Sequence, residues 1–136
     1  MKLDEARARF EAARVARLAT VRRDGAPHVV PIVFALEGNR LAFTIDDKPK
    51  RTRELRRLEN IEFEPRVSIL VDHYEEPWSH LWWVRADGRA AVGRDEDPGR
   101  RATDLLAAKY GPYERRRPPG PVVLVEIDAW RFWPDG

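Results

Sequence analysis

Cysteine is absent from this 136-residue chain, which excludes disulfides, thiol catalysis and cysteine-based zinc or iron–sulfur sites. No apolar run approaches the roughly 20 residues that span a bilayer. Met1-Lys2-Leu3-Asp4-Glu5 lacks the apolar core of a secretory signal, so the expected location is the cytoplasm, with no membrane contact. Charge of one sign is also lacking: 25 Lys and Arg against 23 Asp and Glu leave a formal net charge of +2. That is too little for a generic nucleic-acid binder, which carries a one-signed face. No Gly-x-Gly-x-x-Gly, P-loop or Gly-x-Ser-x-Gly occurs, so dinucleotide Rossmann, NTPase and α/β-hydrolase readings fail. Ser68 and Ser79 are the only serines, and neither has an obvious base beside it. No self-contained nucleophile or acid–base set remains, so any chemistry has to reside in a bound cofactor that the protein positions.

What is present suits a single folded domain spanning 1–136, with 43% apolar and 35% charged residues. Leu3 to Ala13 reads as a helix, with Leu3, Ala6, Phe10 and Ala13 on one stripe. Val15 to Val21 reads as a strand, followed by an Asp24-Gly25 turn. His28 to Leu36 is a second strand, and Pro31 inside it marks an edge, a bulge or backbone facing something other than a strand. A turn at Glu37-Gly38-Asn39 leads into a third strand, Arg40 to Ile45, and Arg66 to Asp72 is a fourth. Leu81 to Val92 is either one long strand bulged at Gly88 or a hairpin turning at Asp87-Gly88. Asp95 to Tyr110 reads as a helix, capped near Asp95 or Asp97, with Leu105, Leu106 and Ala108 on its buried side. Gly111 to Pro121 reads as a loop, and Val122 to Trp133 as the last strand. The sum is mainly β: a small antiparallel barrel with helical inserts.

The segment from Thr44 to Arg57 gathers cations where a strand hands over to a helix. Unpaired helical N–H groups and the positive dipole end favour an anion there, and Lys48, Lys50 and Arg51 add groups suited to phosphate. A solvated basic helix face accounts for the same run. The histidines His28, His73 and His80 are scattered; His73 and His80 approach one another only across the Glu75-Glu76-Pro77 loop, and no metal site is expected. Trp78, Trp82 and Trp83 crowd one loop and strand start, with Trp130, Phe132 and Trp133 on the last strand. On a strand Trp82 and Trp83 point to opposite faces, one to the core and the other to a ligand or partner.

The order LATV, DG, PHVVPIVF, the strand ending at Thr44, the cationic segment, PRVSILVD and WVRADGRA resembles the split β-barrel proteins related to pyridoxamine 5′-phosphate oxidase, which bind flavins and deazaflavins. The resemblance runs from Phe10 to Trp133. DDKPKRTRELRRLENI followed by PRVSILVDHYEEPWSHLWWVRADGRA is most similar to the actinobacterial branch that uses the deazaflavin F420. The resemblance implies a homodimer with cofactor clefts at the subunit interface. It implies phosphate contacts at Thr44, Lys48, Lys50 and Arg51, and backbone around Pro31, Ile32 and Val33 beside the cofactor ring; Trp78 joins this candidate set. Two departures stand out: Glu54 occupies a position where relatives often carry Asn, and Pro49 interrupts the cationic segment. The activity implied is hydride transfer from reduced F420 to an unsaturated or quinone-like small molecule. FMN-dependent oxidoreduction, and non-enzymatic binding of flavin, haem or nucleic acid, are the alternatives.

Overall fold

Alternation gives the first strand its two faces: Ala16, Leu18 and Thr20 are buried while Arg17 and Val21 are exposed. The computed structural model describes residues 1–44, 58–93, 97–117 and 121–135. Within these, seven strands form one antiparallel sheet: β1 (Ala16–Val21), β2 (Pro27–Ile32), β3 (Ala35–Glu37), β4 (Arg40–Thr44), β5 (Arg66–His73), β6 (Trp82–Gly93) and β7 (Val122–Trp133). Their order is β2-β1-β5-β6-β7-β4-β3. The two edge strands, β2 and β3, are consecutive in sequence and separated only by Val33 and Phe34. Two residues can join opposite edges only if the sheet curls back on itself, and the fold is a split β-barrel of the expected class.

The barrel is filled by the inward faces of the strands, among them Leu18, Leu41, Phe43, Ile69, Val84 and Val125. Helix α1 (Leu3–Ala12) contributes Ala6 and Phe10, both fully buried. The Phe10 ring centroid lies 5.2 Å from that of Phe34 and 5.1 Å from that of Trp130, edge-on to the latter. Of the expected stripe, Leu3 is exposed, while Ala13 still packs against the core although it lies one residue past the helix in extended backbone. A helical segment at 58–63, α2, adds Ile61 to the same core.

The expected second strand is broken. Its first part pairs with β1 along one sheet edge and its last part with β4 along the other, a division that local apolar pattern does not encode. Pro31 does sit on an edge strand, as its missing N–H requires. The stretch 81–92 is one continuous strand with a register shift at Asp87/Gly88, not a hairpin. A Cβ at Gly88 would fall 2.2 Å from the Glu126 carbonyl oxygen, so this position requires glycine for close backbone approach.

Helices α3 (Asp97–Lys109) and α4 (Gly111–Arg115) cover the outer side of β3, β4 and the start of β7. Leu106 and Tyr110 pack with Ala35, and Ala102 packs with Ala42 and Val122. Ala108 is exposed; the buried face is Ala102, Leu106 and Ala107, a stripe rotated from the expected one. The stretch after Gly111 is not all loop, since Pro112 stands in the first turn of α4, where its missing N–H costs nothing. No helix among the described residues is long and apolar enough to cross a membrane.

Candidate functional site

At the junction between β2 and β3 the backbone leaves one ladder before joining the next, so Phe34 has no strand partner for its N–H. The hydroxyl of Tyr110, at the end of α3, fills that role. It accepts from the Phe34 N–H at 3.1 Å, and the Phe34 and Arg14 carbonyl oxygens lie at 3.1 and 3.0 Å as acceptors for its proton. Burial pushes the Tyr110 phenol above its ordinary pKa, opposed by its hydrogen bond to Phe34. A clasp surrounds it: Arg14 Nη2 donates to the Lys109 carbonyl at 2.9 Å, and Lys109 Nζ donates to the Glu11 carbonyl at 2.9 Å. Lys109 Nζ also lies 3.9 Å from the Phe34 ring centroid. Burial, with the nearby Arg14 charge, lowers its pKa to about 8.

Tyr110 holds Tyr113 in turn. Their rings meet edge-on at 6.1 Å, and the Tyr113 N–H donates to the Tyr110 carbonyl at 3.1 Å. The Tyr113 hydroxyl lies 3.3 Å from Thr44 Oγ1. Thr44 is half-buried at the end of β4, on the face covered by α3 and α4. The β3–β4 ladder runs from Ala35 with Ala42 to Glu37 with Arg40, so Val33 just precedes its start and Thr44 lies just past its end on β4. Val33 packs against the cluster formed by Ala35, Leu106 and Tyr110. One seam therefore carries Val33, Thr44, Tyr110 and Tyr113.

Of the expected cofactor contacts, Val33 and Thr44 both lie beside the Tyr110–Tyr113 pair, Val33 packing against the cluster that holds Tyr110 and Thr44 meeting the Tyr113 hydroxyl, with Pro31 and Ile32 on the strand leading into the seam. The Ile32 side chain points into the core and Pro31 is exposed opposite Arg17, so Ile32 can meet a ligand only through its backbone. Lys48, Lys50 and Arg51 lie outside the described residues, as does Asp95. Trp78 is not at this seam. It lies in a 3-10 turn, Trp78–His80, just before β6, whereas Thr44 pairs with Val122, which pairs with Gly93 at the far end of β6. The two are separated by the length of a 12-residue strand, on the order of 35 Å along the chain path.

The Trp78 end has its own chemistry. Trp78 is 69% exposed, and its indole N–H donates to the Tyr74 hydroxyl at 3.4 Å. His73 Nε2 and His80 Nδ1 both donate to the Glu75 carboxylate, and these bonds hold that carboxyl below its ordinary pKa. His73 stacks on Trp82 at 5.6 Å, and Trp82 packs against the core. Trp82, Trp83, Tyr74 and Trp133 line an open cleft of about 450 Å³. Among the described residues no three His, Asp or Glu side chains are arranged to hold a metal.

A second open cleft, of about 460 Å³, runs over β1, β5 and β6 and includes Ser68 and Asp87. Ser68 Oγ donates to Asp87 at 2.7 Å, and Arg85 grips the same carboxylate with Nε and Nη2 at 2.9 and 3.1 Å. With its carboxylate neighbour committed to Arg85 and no histidine adjoining it, Ser68 is not an activated nucleophile.

A profile of the pyridoxamine 5′-phosphate oxidase family matches residues 3–134. The chain belongs to this family. Structures similar to this family member include a conserved hypothetical protein of Mycobacterium tuberculosis, at 19% identity and TM-score 0.78, covering 98% of this chain and 84% of the other. An FAD-binding protein of Mesorhizobium loti gives 22% identity and TM-score 0.74, covering 97% and 94%. The haem storage protein HutZ of Vibrio cholerae gives 19% identity and TM-score 0.72, covering 98% and 94%. A search of curated protein sequences found no match. The likeness to these structures is one of fold. What reading the sequence missed in this oxidase-family chain is Lys109, Tyr110 and Tyr113. Gly111-Pro112 between the two tyrosines was the available signal, because proline in a first turn starts a helix and sets residues 110 and 113 about one turn apart.

Proposed function

We propose that this protein is an oxidoreductase that binds a phosphate-bearing flavin-type cofactor at the seam between β2, β3 and β4, with the deazaflavin F420 as that cofactor. The observation that carries the reading is Thr44: a half-buried hydroxyl at the end of β4, beside the β2–β3 junction's tyrosine pair, with the cationic stretch of sequence following it. The family match over residues 3–134 supports a cofactor site of this kind, and the resemblance of the cationic segment to the F420-using branch supports that cofactor. When bound, reduced F420 supplies a hydride for an unsaturated or quinone-like acceptor. The chain's own part is binding and orientation: Thr44 holds the phosphate with Lys48, Lys50 and Arg51, and the backbone from Pro31 to Val33 flanks the ring. Trp78 contributes only across a homodimer, since its own chain sets it a strand length from Thr44. Val29 at 61% and Trp133 at 47% exposure are apolar surface that such a dimer would cover.

FMN is the second reading, favoured by the family match and by the FAD-binding structure from Mesorhizobium loti. Haem binding is less favoured, because no histidine sits at this seam: His73 and His80 lie with Glu75 at the Trp78 end, and His28 pairs with Thr20 near the start of β2. Separate fluorescence titrations with F420, FMN and haem test these readings, repeated on the Lys50→Ala, Arg51→Ala double variant. Micromolar or tighter F420 binding that weakens at least tenfold in the variant is expected. Failure of both F420 and FMN to bind refutes the cofactor assignment; FMN binding much tighter than F420 moves it to the second reading.

A further inference from the structure

The β1–β2 ladder ends at Ile32 with Ala16, and the β3–β4 ladder begins at Ala35 with Ala42, so neither includes Val33 and Phe34. The chain nonetheless runs straight through the gap. Ile32, Phe34 and Leu36 pack in the barrel core, while Val33 and Ala35 pack with Leu106 and Tyr110 of the helical cover. That two-residue alternation is the mark of extended backbone.

The hold on this stretch comes from α3 and the residues after it. The Tyr110 hydroxyl lies 3.1 Å from both the N–H and the carbonyl oxygen of Phe34. The Phe34 ring is pinned as well, by Phe10 at 5.2 Å between centroids and by Lys109 Nζ at 3.9 Å from its own centroid. Tyr110 is itself anchored. Its hydroxyl also meets the Arg14 carbonyl at 3.0 Å, and the Arg14 guanidinium carbon lies 4.6 Å from its ring centroid. The bonds from Arg14 to the Lys109 carbonyl and from Lys109 Nζ to the Glu11 carbonyl, both 2.9 Å, tie the end of α3 to the end of α1.

In extended chain the N–H and C=O of one residue share an edge, and those of the next residue take the opposite edge. With the polar groups of Phe34 turned to Tyr110, those of Val33 are turned away from it. One phenol hydroxyl therefore sets the direction in which the Val33 peptide groups face.

We infer that Tyr110 is a positioning residue for the cofactor ring: by holding Phe34 from behind, it fixes the angle at which the backbone from Pro31 to Val33 meets that ring. This rests on the cofactor reading above and adds to it a residue that acts through Phe34 without touching the ligand. A flanking segment held by buried bonds is preorganised, and orientation of a planar ring is the protein's share of hydride transfer.

The test reads ring and phosphate separately. Wild-type protein and Tyr110→Phe are titrated with FMN and riboflavin, and with F420 and the deazaflavin riboside that lacks its phosphate-bearing tail. Visible circular dichroism of the bound ring is recorded at saturating ligand, where a smaller folded fraction scales the signal without changing its shape. A positioning role predicts a changed band shape in Tyr110→Phe. It also predicts that both members of a pair weaken alike, by roughly tenfold, so that the preference for phosphate is kept. An unchanged band shape overturns the inference whether or not apparent affinity falls, as does a loss confined to the phosphorylated member. Should Tyr110→Phe not fold, Lys109→Met, which removes the bond to Glu11 and keeps the hydroxyl, takes its place with the same expected change and the same overturning results. If the wild-type protein binds none of the four ligands, the inference falls together with the cofactor reading. If it binds them and the variant keeps its band shape, the positioning role alone falls.

Discussion

The Tyr110 hydroxyl stands 3.1 Å from both the amide nitrogen and the carbonyl oxygen of Phe34, residues 76 apart in sequence. A side chain on a helix thus supplies the backbone partner that the barrel lacks at its seam. Phenylalanine at 110 would keep the ring packing and remove the partner, stranding a buried N–H. Tyr110→Phe is expected to lower stability by about 1–3 kcal/mol, read as a shift in the denaturant midpoint with unchanged slope. Hydrogen exchange should show the Phe34 amide, protected in the wild type, exchanging faster in the variant. Unchanged stability and protection would mean that the bond is not formed in solution.

Lys109 should give the protein an alkaline signature. Its pKa is lowered to about 8 from an ordinary 10.5, with burial the larger cause and Arg14 the next. Below pH 8 both folded and unfolded chains hold the proton, and folding carries the burden of burying the charge. Between 8 and 10.5 the unfolded chain binds more protons, so stability rises with pH through that window. Tyr110 acts oppositely above pH 10, because its folded-state pKa is raised. The cleanest range is therefore pH 8 to about 9.5. An NMR titration of the lysine ε-methylenes should show one midpoint near 8, absent in Lys109→Met. A midpoint near 10.5 for Lys109 would contradict the packing described here.

Gly88 should tolerate no side chain. A Cβ there meets the Glu126 carbonyl oxygen at 2.2 Å, and the Glu126 carbonyl carbon and Ile127 Cα at 3.0 Å. These are backbone atoms of β7 that cannot rotate away. Gly88→Ala is expected to destabilise by about 3 kcal/mol, at the upper end for overpacking, as measured by thermal or denaturant melting. A loss below about 1 kcal/mol would show that β7 shifts to accommodate the methyl.

The elements with strong local signals were legible in advance. The last strand, Val122–Trp133, has its expected bounds, because a long apolar run flanked by prolines leaves little choice. The helix beginning at Leu3 was clear from Ala6 and Phe10. In sequence Gly88 fits a bulge or a turn; only the approach of Glu126 decides between them, and that contact joins residues distant in sequence. The break at Val33 and Phe34 was invisible for the same reason: both halves are apolar and extended, and which neighbour each half takes is a property of the closed sheet. At the candidate site, Thr44 enters the reading through the family resemblance, and the structure sets it at the end of β4. Tyr110 and Tyr113 carry no such signal, since a hydroxyl that meets a group distant in sequence, the Phe34 backbone for Tyr110 and Thr44 Oγ1 for Tyr113, leaves no periodicity behind. The cationic side chains at 48, 50 and 51, the strongest compositional signal of all, lie outside the described residues.

The strand order also constrains the sequence of events during synthesis. β1, β2, β5 and β6 are neighbours in one continuous part of the sheet and can pair as they emerge. The β3–β4 hairpin, made earlier than β5, reaches that sheet only through β7. Until residues 122–133 have left the ribosome, both flanks of the hairpin are open, since β3 is itself an edge, and the barrel cannot close. Its apolar residues Leu41 and Phe43 are then left to chaperones or to chance encounters.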